Sequence, residues 1–596
     1  MVSIYVNGED KTAQISDWTI AWSTKYEALQ LTCHFPSKKT FTRPLSECQV
    51  LPTHELAEML LTKRGSTIVQ PIEKATIYGD RYAAVYFPEN TKPYIYKLDD
   101  IDFLKPTQMK ESSVFRYLAD VANARKSRAG TENQLSIAAN VVRQLDKLPA
   151  SSSTALYAYC TAKNGKQASS EGLIYPFGLN ESQLAAVERA FSAQISVIEG
   201  PPGTGKTQTI LNILANILLR GKTVAVLSNN NAAVENVYEK LKKCSLDHLV
   251  AKLGNKDNQK DFFANLPPWP SAAPDPAPAM EEIQTILGQL KQLLRDHNAA
   301  AQLRAEIDEL NIERSYLQQW QEDYGESISA SLDKYGLSPR KTADLMAYLS
   351  YLGERRVRLK DRLELLFNFK IFRTKPFAQN EERLSFFHAL QMHFYDKALE
   401  NKETALQAYL ESLARGNFAT LLEELTTKSM RYLRQHLHEQ VRTPETFDAK
   451  TYKKHFDAFV HRFPIIGSST HSIVNSIAPG AVLDYVIIDE ASQQDIVPGI
   501  LALGCAKNLI VVGDSRQLAH IPITLGLPAP EDVYDCERYS LLDSCIGVFK
   551  GALPKTLLKE HYRCHPKIIQ FCNQQFYDNA LVPMTQDNGE APYGYC

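Results

Sequence analysis

The chain's most informative residues form a glycine-rich run that ends in a lysine and a threonine, Gly200-Pro-Pro-Gly203-Thr-Gly205-Lys206-Thr207. This spacing is that of a phosphate-binding loop, whose glycines let backbone N–H groups turn toward phosphate oxygens. The Lys206 side chain would neutralise β/γ-phosphate charge, and the Thr207 hydroxyl would hold Mg²⁺. A glycine turn without a ligand is the alternative, but the strand SVIE precedes the run and a helical pattern follows it, as the loop requires. The residues expected to bind the nucleotide phosphates here are Gly200, Pro201, Pro202, Gly203, Thr204, Gly205, Lys206, Thr207 and Gln208.

A phosphate loop that binds Mg²⁺ needs a carboxylate as well, and the acidic pair in VIIDEAS supplies one. Asp489 ends an apolar strand, which is where ligands contact an open α/β sheet. We predict that Asp489 holds Mg²⁺ through water and that Glu490 is the base that orients the attacking water. An Asp-Glu pair after a strand is by itself more often structural, and it gains weight here from the phosphate loop.

A further strand, NLIVVGD, ends in Gly513-Asp-Ser-Arg-Gln517-Leu. The Gln517 amide can donate to a phosphate and accept from water, so we predict that it contacts the γ-phosphate. An ordinary strand-ending turn remains the alternative.

The elements that must position these residues alternate between strand and helix. ISVIEG and TVAVLS have the pattern of strands, and TQTILNILANILLRG and NAAVENVYEKLKK that of helices. Short apolar runs return at FPIIGSST, DYVIIDEAS and NLIVVGD. This rhythm predicts an α/β fold with a parallel sheet buried on both faces.

The motifs and their order resemble those of superfamily 1 helicases, in the branch of the nonsense-mediated-decay helicase and senataxin-type proteins. The resemblance covers about 176–255 and 463–585, through FGLNESQ, GPPGTGKT, SNNNAAVENV, GSSTHS, DEASQ, GDSRQL and EHYRCHP. It implies a RecA-like fold, ATP and Mg²⁺ as cofactors, and single-stranded DNA or RNA as partner. It also implies that Gln183 reads adenine, that Tyr562 stacks on adenine and that Arg563 reaches the γ-phosphate.

The same resemblance places a nucleic-acid strand against Asn230, Asn231, Thr470 and His471. Helix caps and turns are the alternative roles for these polar residues. The sequence departs from the family pattern at Glu235, where the family usually has aspartate. DNA and RNA are not distinguished, and a 5′ to 3′ polarity is an expectation from the branch.

The regions outside the motifs differ in pattern. Residues 1–110 have short β-branched and aromatic runs, whereas 112–147 and much of 280–445 have helical spacing. The basic run from Glu354 to Lys375 is either a solvated helix face or a phosphate-contacting patch.

The predicted domains are 1–110 β-rich and barrel-like, 111–175 a helical connector, 176–262 the first part of a RecA-like motor lobe, 263–279 a Pro-rich linker, 280–450 a helical insertion with a coiled-coil arm, 451–555 the rest of the lobe, and 556–596 the start of an incomplete second lobe.

Composition narrows the function classes. Lys and Arg number 66 against 68 Asp and Glu, so a globally basic nucleic-acid coat is excluded and any polyanion contact must be local. The cysteines form no Cys-x-x-Cys pair, which disfavours a zinc ribbon and is typical of reduced thiols. Reduced thiols predict a cytoplasmic protein, and because no run approaches 18 apolar residues we expect no segment that spans a membrane and no membrane partner.

Residues after Arg563 are too few for a whole second RecA-like lobe, so we expect a truncated or split motor that hydrolyses ATP slowly without unwinding. An ATP-driven helicase or translocase is the leading hypothesis. The alternatives are a nucleotide-gated clamp or scaffold that engages a protein partner through the arm, and an unrelated phosphate-loop enzyme such as a small-molecule kinase. The sequence leaves the oligomeric state open.

Overall fold

The computed structural model describes residues 2–88, 90–167, 171–228, 231–270, 274–324, 332, 335–353, 355, 357–372, 374, 380–440 and 446–585. The chain forms two compact units. The first consists of Met1–Ile283 and Thr426–Leu558, and the second of Gln284–Leu425 and Lys559–Cys596. Most of the predicted helical insertion therefore shares a unit with the last predicted segment, which the sequence pattern did not indicate.

The secondary structure follows the predicted alternation. The strands are β1 Ser3–Val6, β2 Glu9–Asp10, β3 Asp17–Ser23, β4 Ala28–His34, β5 Thr40–Pro44, β6 Cys48–Leu51, β7 Thr53–Ala57, β8 Leu60–Lys63, β9 Val69–Pro71, β10 Lys74–Tyr78, β11 Tyr82–Tyr86, β12 Tyr94–Lys97, β13 Ile101–Leu104, β14 Ile195–Glu199, β15 Val224–Ser228, β16 Val250–Lys252, β17 Ile465–Ser468, β18 Leu483–Asp489, β19 Ala506–Gly513, β20 Lys555–Leu557, β21 Glu560–His561 and β22 Val582–Pro583. The α-helices are α1 Ser113–Ser127, α2 Glu132–Lys147, α3 Ala155–Thr161, α4 Glu181–Ala190, α5 Lys206–Leu219, α6 Asn231–Lys243, α7 Lys256–Ala264, α8 Met280–Tyr324, α9 Pro339–Leu352, α10 Leu359–Phe369, α11 Asn380–Arg415, α12 Phe418–Gln440, α13 Phe456–Arg462, α14 Ile473–Ser476, α15 Ile496–Gly504, α16 Leu541–Phe549 and α17 Pro566–Phe576.

The N-terminal region is built from small antiparallel sheets with strand orders β2-β1-β6, β3-β4-β5, β12-β11-β10-β7 and β13-β8-β9. Alternation of side chains puts Trp18 and Ile20 of β3 on the same buried face. They share a core with Leu31 and Cys33 of β4. The predicted β-rich region is confirmed.

A parallel sheet of seven strands, in the order β16-β17-β15-β18-β19-β14-β20, forms the centre of the first unit. Every residue of β14 and β15 is buried, because helices cover both faces of such a sheet. The predicted RecA-like α/β fold is confirmed. The predicted boundary before residue 556 falls inside β20, which pairs with β14 as an edge strand of this sheet.

Two long helices of the second unit pair in opposite directions. The Ser412 hydroxyl of α11 donates to the Asp296 carboxylate of α8 at 2.6 Å, and Arg314 of α8 bonds to Asp396 of α11 at 2.8 Å. Residue numbers rise along α8 as they fall along α11, so the pair is antiparallel. The predicted long helices are present, while coiled-coil packing stays a prediction. None of the described helices combines the length and the apolar character that crossing a bilayer requires.

The basic run predicted as a solvated face or a phosphate patch lies partly on α10. Residues 354, 356, 373 and 375 fall outside the described residues. Asp361 of the run is buried, where it accepts hydrogen bonds from Tyr348 and Arg355. The described basic residues are exposed, which both interpretations allow.

Candidate nucleotide site

The predicted phosphate loop joins β14 to α5 at the edge of the parallel sheet where the strands end. Gly203 and Gly205 have φ angles of 92° and 86°, a region that L side chains rarely adopt. A Cβ atom at Gly205 would also lie 2.2 Å from the Gln183 amide nitrogen. Helix α5 begins at Lys206, so its first N–H groups, which lack intrahelical partners, border the loop.

The Lys206 side chain folds back over the loop. Its ammonium donates to the Gly200 carbonyl at 3.0 Å, and only 9% of the residue is exposed. The Thr204 hydroxyl donates to the Pro201 carbonyl at 2.8 Å, a hydrogen bond within the loop that stabilises its turn. The half-buried Thr207 follows in the first turn of α5. The loop thus holds a nearly dehydrated cation where a phosphate chain would lie.

A network of amide side chains braces the outside of the loop. Asn180 caps α4 by accepting from the Gln183 N–H at 2.8 Å, while Gln183 Oε1 accepts from the Asn180 N–H at 3.1 Å. Gln183 Nε2 then donates to the Gly205 carbonyl at 3.3 Å and to Gln208 Oε1 at 3.1 Å. The sequence analysis missed Asn180, although the Asn-x-x-Gln spacing before an apolar helix is a capping-box signal.

This network gives Gln183 a different surrounding from the one its predicted role requires. The residue is 1% exposed, and its amide is bonded to the loop and to the α4 cap. A contact with adenine would need the side chain to leave those partners. The adenine assignment of Gln183 stays a prediction.

The acidic pair lies beside the phosphate loop because β19 pairs with both β18 and β14. The pairing aligns Ile488 with Val511, and Glu199 with Gly513, so the three strands end at one edge. The Glu490 backbone has φ 51°, an uncommon conformation for a residue other than glycine. One Glu490 oxygen lies 3.7 Å from the Lys206 ammonium, and the other is buried without a hydrogen-bond partner among the residues that the structure describes.

Asp489 is buried at the same edge, with 5% of the residue exposed. Its carboxylate accepts from the Glu490 N–H at 2.9 Å. Burial and the neighbouring Glu490 charge raise the pKa of Asp489, the Lys206 ammonium opposes both, and the pKa that results is about 6. A cation placed next to Asp489 would lower this pKa, since an opposite charge favours the ionised form of a carboxyl.

These residues fit a Mg²⁺–nucleoside triphosphate. The loop offers backbone donors and an ammonium for phosphate, and Thr207, Asp489 and Glu490 offer the oxygen ligands and water contacts that Mg²⁺ prefers. The unpartnered oxygen of Glu490 is a buried acceptor that requires a donor, and a water molecule can supply one.

Gln517 lies in the segment after β19, the strand next to the phosphate loop. The Gly200 N–H donates to the Gly513 carbonyl at 3.1 Å, which ties the two segments together. Gln517 Nε2 donates to the Asp514 carboxylate at 3.0 Å. The γ-phosphate contact predicted for Gln517 stays a prediction.

Tyr562 and Arg563 belong to the second unit, in the turn between β21 and α17. Tyr562 is 48% exposed, and Arg563 is also exposed. Their assigned contacts with adenine and the γ-phosphate stay predictions.

The residues predicted to face a nucleic-acid strand have different surroundings. The Thr470 hydroxyl is completely buried and donates to Gln494 Oε1 at 3.0 Å, so its side chain has a structural partner. His471 is partly buried, which lowers its pKa, and its carbonyl accepts from Gln144 at 2.7 Å. Asn230 lies outside the described residues, and Asn231 begins α6 with a side chain that is also outside them.

Comparison with known proteins identifies the family of the chain. The family described as "AAA domain" matches residues 178–524, which is more than half of the chain. An uncharacterized ATP-dependent helicase of Mycoplasma genitalium is 23% identical over 524 residues, covering 68% of this chain and 46% of its own length. The chain thus spans about half the length of this relative.

Shorter matches have higher identity. The regulator of nonsense transcripts 1 homolog of Drosophila melanogaster is 44% identical over 69 residues, which are 11% of this chain and 6% of that protein. The DNA replication ATP-dependent helicase/nuclease dna2 of Schizosaccharomyces pombe is 38% identical over 78 residues, 13% of this chain and 5% of that protein. With its phosphate loop and parallel sheet, the chain belongs to this AAA-domain family and to the superfamily 1 helicases, in the branch of the nonsense-mediated-decay helicase.

Proposed function

We propose that the chain binds ATP with Mg²⁺ at the phosphate loop and hydrolyses it as part of a motor on single-stranded nucleic acid. The observation that carries the proposal is the meeting of Lys206, Asp489 and Glu490 beside the loop, with one Glu490 oxygen unpartnered. A buried cation, a buried carboxyl of raised pKa and an unpaired acceptor are costly in a purely structural site, whereas phosphoryl transfer uses each of them.

The phosphate loop and Lys206 would bind the nucleotide. The loop's backbone N–H groups would donate to phosphate oxygens, and the Lys206 ammonium would exchange its bond with the Gly200 carbonyl for bonds with phosphate. Thr207 and Asp489 would hold Mg²⁺, Asp489 through water. When bound, the ion supplies positive charge that offsets charge developing on the phosphates.

Hydrolysis requires a positioned water, and Glu490 is the group suited to it. Its unpartnered oxygen would accept a hydrogen bond from the water and then its proton. Gln517 would orient the same water or the γ-phosphate by its amide. The Arg563 guanidinium would add positive charge at the γ-phosphate, the role that the family motif implies.

We propose single-stranded DNA or RNA as the partner whose binding is coupled to ATP hydrolysis. Family membership supports a nucleic-acid partner in general, and the relatives found include both a DNA replication helicase and a regulator of nonsense transcripts. We further propose that 176–262 and 451–555, extended to the end of β20, form the first motor lobe. On this view residues 559–585 begin the second lobe.

ATP turnover with and without single-stranded DNA or RNA tests the proposal. We expect ATP- and Mg²⁺-dependent hydrolysis that nucleic acid stimulates, because motors of this class hydrolyse in step with strand contact. ATP binding with turnover that neither nucleic acid changes would instead favour a nucleotide-gated clamp. Failure to bind ATP would refute the site itself.

A further inference from the structure

The turn that carries Tyr562 and Arg563 joins the short strand β21 to helix α17, and the Thr585 hydroxyl donates to the Cys564 carbonyl of the turn at 2.7 Å. The preceding strand β21 is two residues long and, among the described residues, pairs with the equally short β22. Both side chains of the turn are exposed, so neither is packed into a core. A turn of this kind depends on whatever fixes the elements on either side of it.

The element before the turn is bonded to the long helix α8. Glu560 of β21 is completely buried, and its carboxylate accepts from the Asn298 side-chain amide at 2.6 Å. The two residues are 262 positions apart in the sequence. A buried carboxylate needs hydrogen-bond donors, so this contact fixes β21 against α8.

The element after the turn contacts the same helix. Gln570 of α17 donates to the Glu309 carboxylate of α8 at 3.2 Å. Glu309 follows Asn298 by about three helical turns, which places both on the same face of α8. One face of α8 therefore holds the strand and the helix that flank Arg563.

We propose that Asn298 is a positioning residue for Arg563, and that the insertion between the phosphate loop and the acidic pair acts as a brace for the turn that carries this arginine. The inference rests on the proposed function, because it takes the Arg563 guanidinium to act on ATP. The insertion's long helix belongs to the same compact unit as the turn, as a brace requires. Removing the Asn298 amide would leave Glu560 without this donor and loosen β21, while the residues of the phosphate loop stay unchanged.

Turnover of the full chain tests the brace. We expect Asn298→Ala to lower kcat about 10- to 100-fold, as displacement of a catalytic group by about 1 Å does, and to leave ATP affinity within about twofold. Asn311→Ala is the matched control, since Asn311 is exposed on the same helix. If Asn298→Ala does not fold, Asn298→Ser keeps a shorter donor and enters the same comparison.

The same substitution made in a chain that already lacks Arg563 tells a positioning role of Asn298 from a merely structural one. In an Arg563→Ala chain, Asn298→Ala should cause no further loss of kcat, because the group it positions is absent. An equal loss in both backgrounds would show a merely structural role and overturn the proposal. Turnover that stays normal in Asn298→Ala but falls in Arg563→Ala would overturn it too.

Hydrogen exchange provides a readout that does not depend on ATP. Amides of residues 560–563 should exchange at least about tenfold faster in Asn298→Ala than in the wild type or in Asn311→Ala. Unchanged exchange would refute the brace even if the wild type showed no turnover. Absent ATP binding together with faster exchange would refute the proposed function alone.

Discussion

Two regions of the molecule are positioned in different ways. The first, here called the loop edge, is the edge of the parallel sheet in the first unit that carries the phosphate loop (residues 200–207), Asp489 and Glu490. The second is the Tyr562–Arg563 turn in the second unit. At the loop edge, the side chains proposed for catalysis come directly after strands of one buried sheet, and neighbouring strands fix their spacing. At the turn, two exposed side chains follow a two-residue strand that is fixed by Asn298, which is remote in the sequence.

The difference leads us to expect that nucleotide binding and turnover depend on separate parts of the molecule. The strands that lead to the loop edge include β14, every residue of which is buried, so we expect this edge to hold nucleotide by itself. The turn takes its position from a long helix, so a change in that helix can alter turnover without altering binding. Variants in each region should therefore affect different steps.

The largest effect is expected from Lys206→Ala at the loop edge. A unit charge about 4 Å from a phosphate contributes about 4 kcal/mol at an effective dielectric constant of 20, so ATP affinity should fall about 10³-fold. Titration of a fluorescent ATP analogue measures this. Lys222→Ala is the control, because Lys222 pairs with Asp484 before β15, at the other edge of the sheet. Equal affinity in the two variants would break the assignment of the loop.

Glu490→Gln should affect turnover rather than binding. The amide keeps the size of the side chain but cannot accept the proton of the attacking water, so kcat should fall at least about 10²-fold. ATP affinity should hold or rise, since a negative charge beside the phosphates is removed. Glu235→Gln, at an exposed glutamate paired with Lys252, serves as control. A loss of affinity with unchanged kcat would remove the base assignment.

Asp489→Asn should stabilise the nucleotide-free chain. The pKa of Asp489 is raised from 3.8 to about 6 in the folded chain, so the native state binds its proton more tightly than the unfolded state does. Stability is therefore lost as pH rises from about 4 to about 6, by about 3 kcal/mol at 1.36 kcal/mol per pKa unit. The variant should melt higher than the wild type at pH 8.

The same melts at lower pH provide the check on this cause. The advantage of Asp489→Asn should be small near pH 4 and vanish below it, because the wild-type carboxyl is protonated in both states only below both pKa values. An advantage that is equal at pH 8 and pH 4 would show that charge burial is not responsible.

The smallest effect is expected from Gln183→Ala, which removes a cap and a brace of the loop. Loss of such a capping interaction costs about 1 kcal/mol, so nucleotide affinity should fall no more than about tenfold. ATP and GTP should weaken alike, because the amide is bonded to the loop rather than open to a base. A loss confined to ATP would instead support the adenine assignment. Gln134→Ala, at an exposed residue in the first turn of α2, is the control.

The sequence predicted the loop edge well because its signals are local. Glycine spacing, strand-ending carboxylates and apolar strands each depend on a few consecutive residues, and the parallel sheet then brings them together. Side-chain partners were harder to predict. The buried bond from Thr470 to Gln494 and the loop bonds of Gln183 depend on packing that motif spacing does not encode.

Long-range arrangement was the least predictable part. The helical spacing of 280–320 indicated a long helix, but nothing in that pattern indicates that Asn298 bonds to Glu560. The extent of the sheet was also missed at β20, a three-residue strand that gives too short a pattern to recognise. Such contacts join segments far apart in the chain, so they become visible only in the folded structure.

The most direct test of the division between binding and turnover is to measure both in one Arg563→Ala preparation. With nucleic acid present, ATP affinity should match the wild type, and kcat should fall about 10³-fold, as removal of an arginine that stabilises phosphoryl transfer does. Turnover equal to that of the wild type, or loss of affinity in proportion to turnover, would contradict the account.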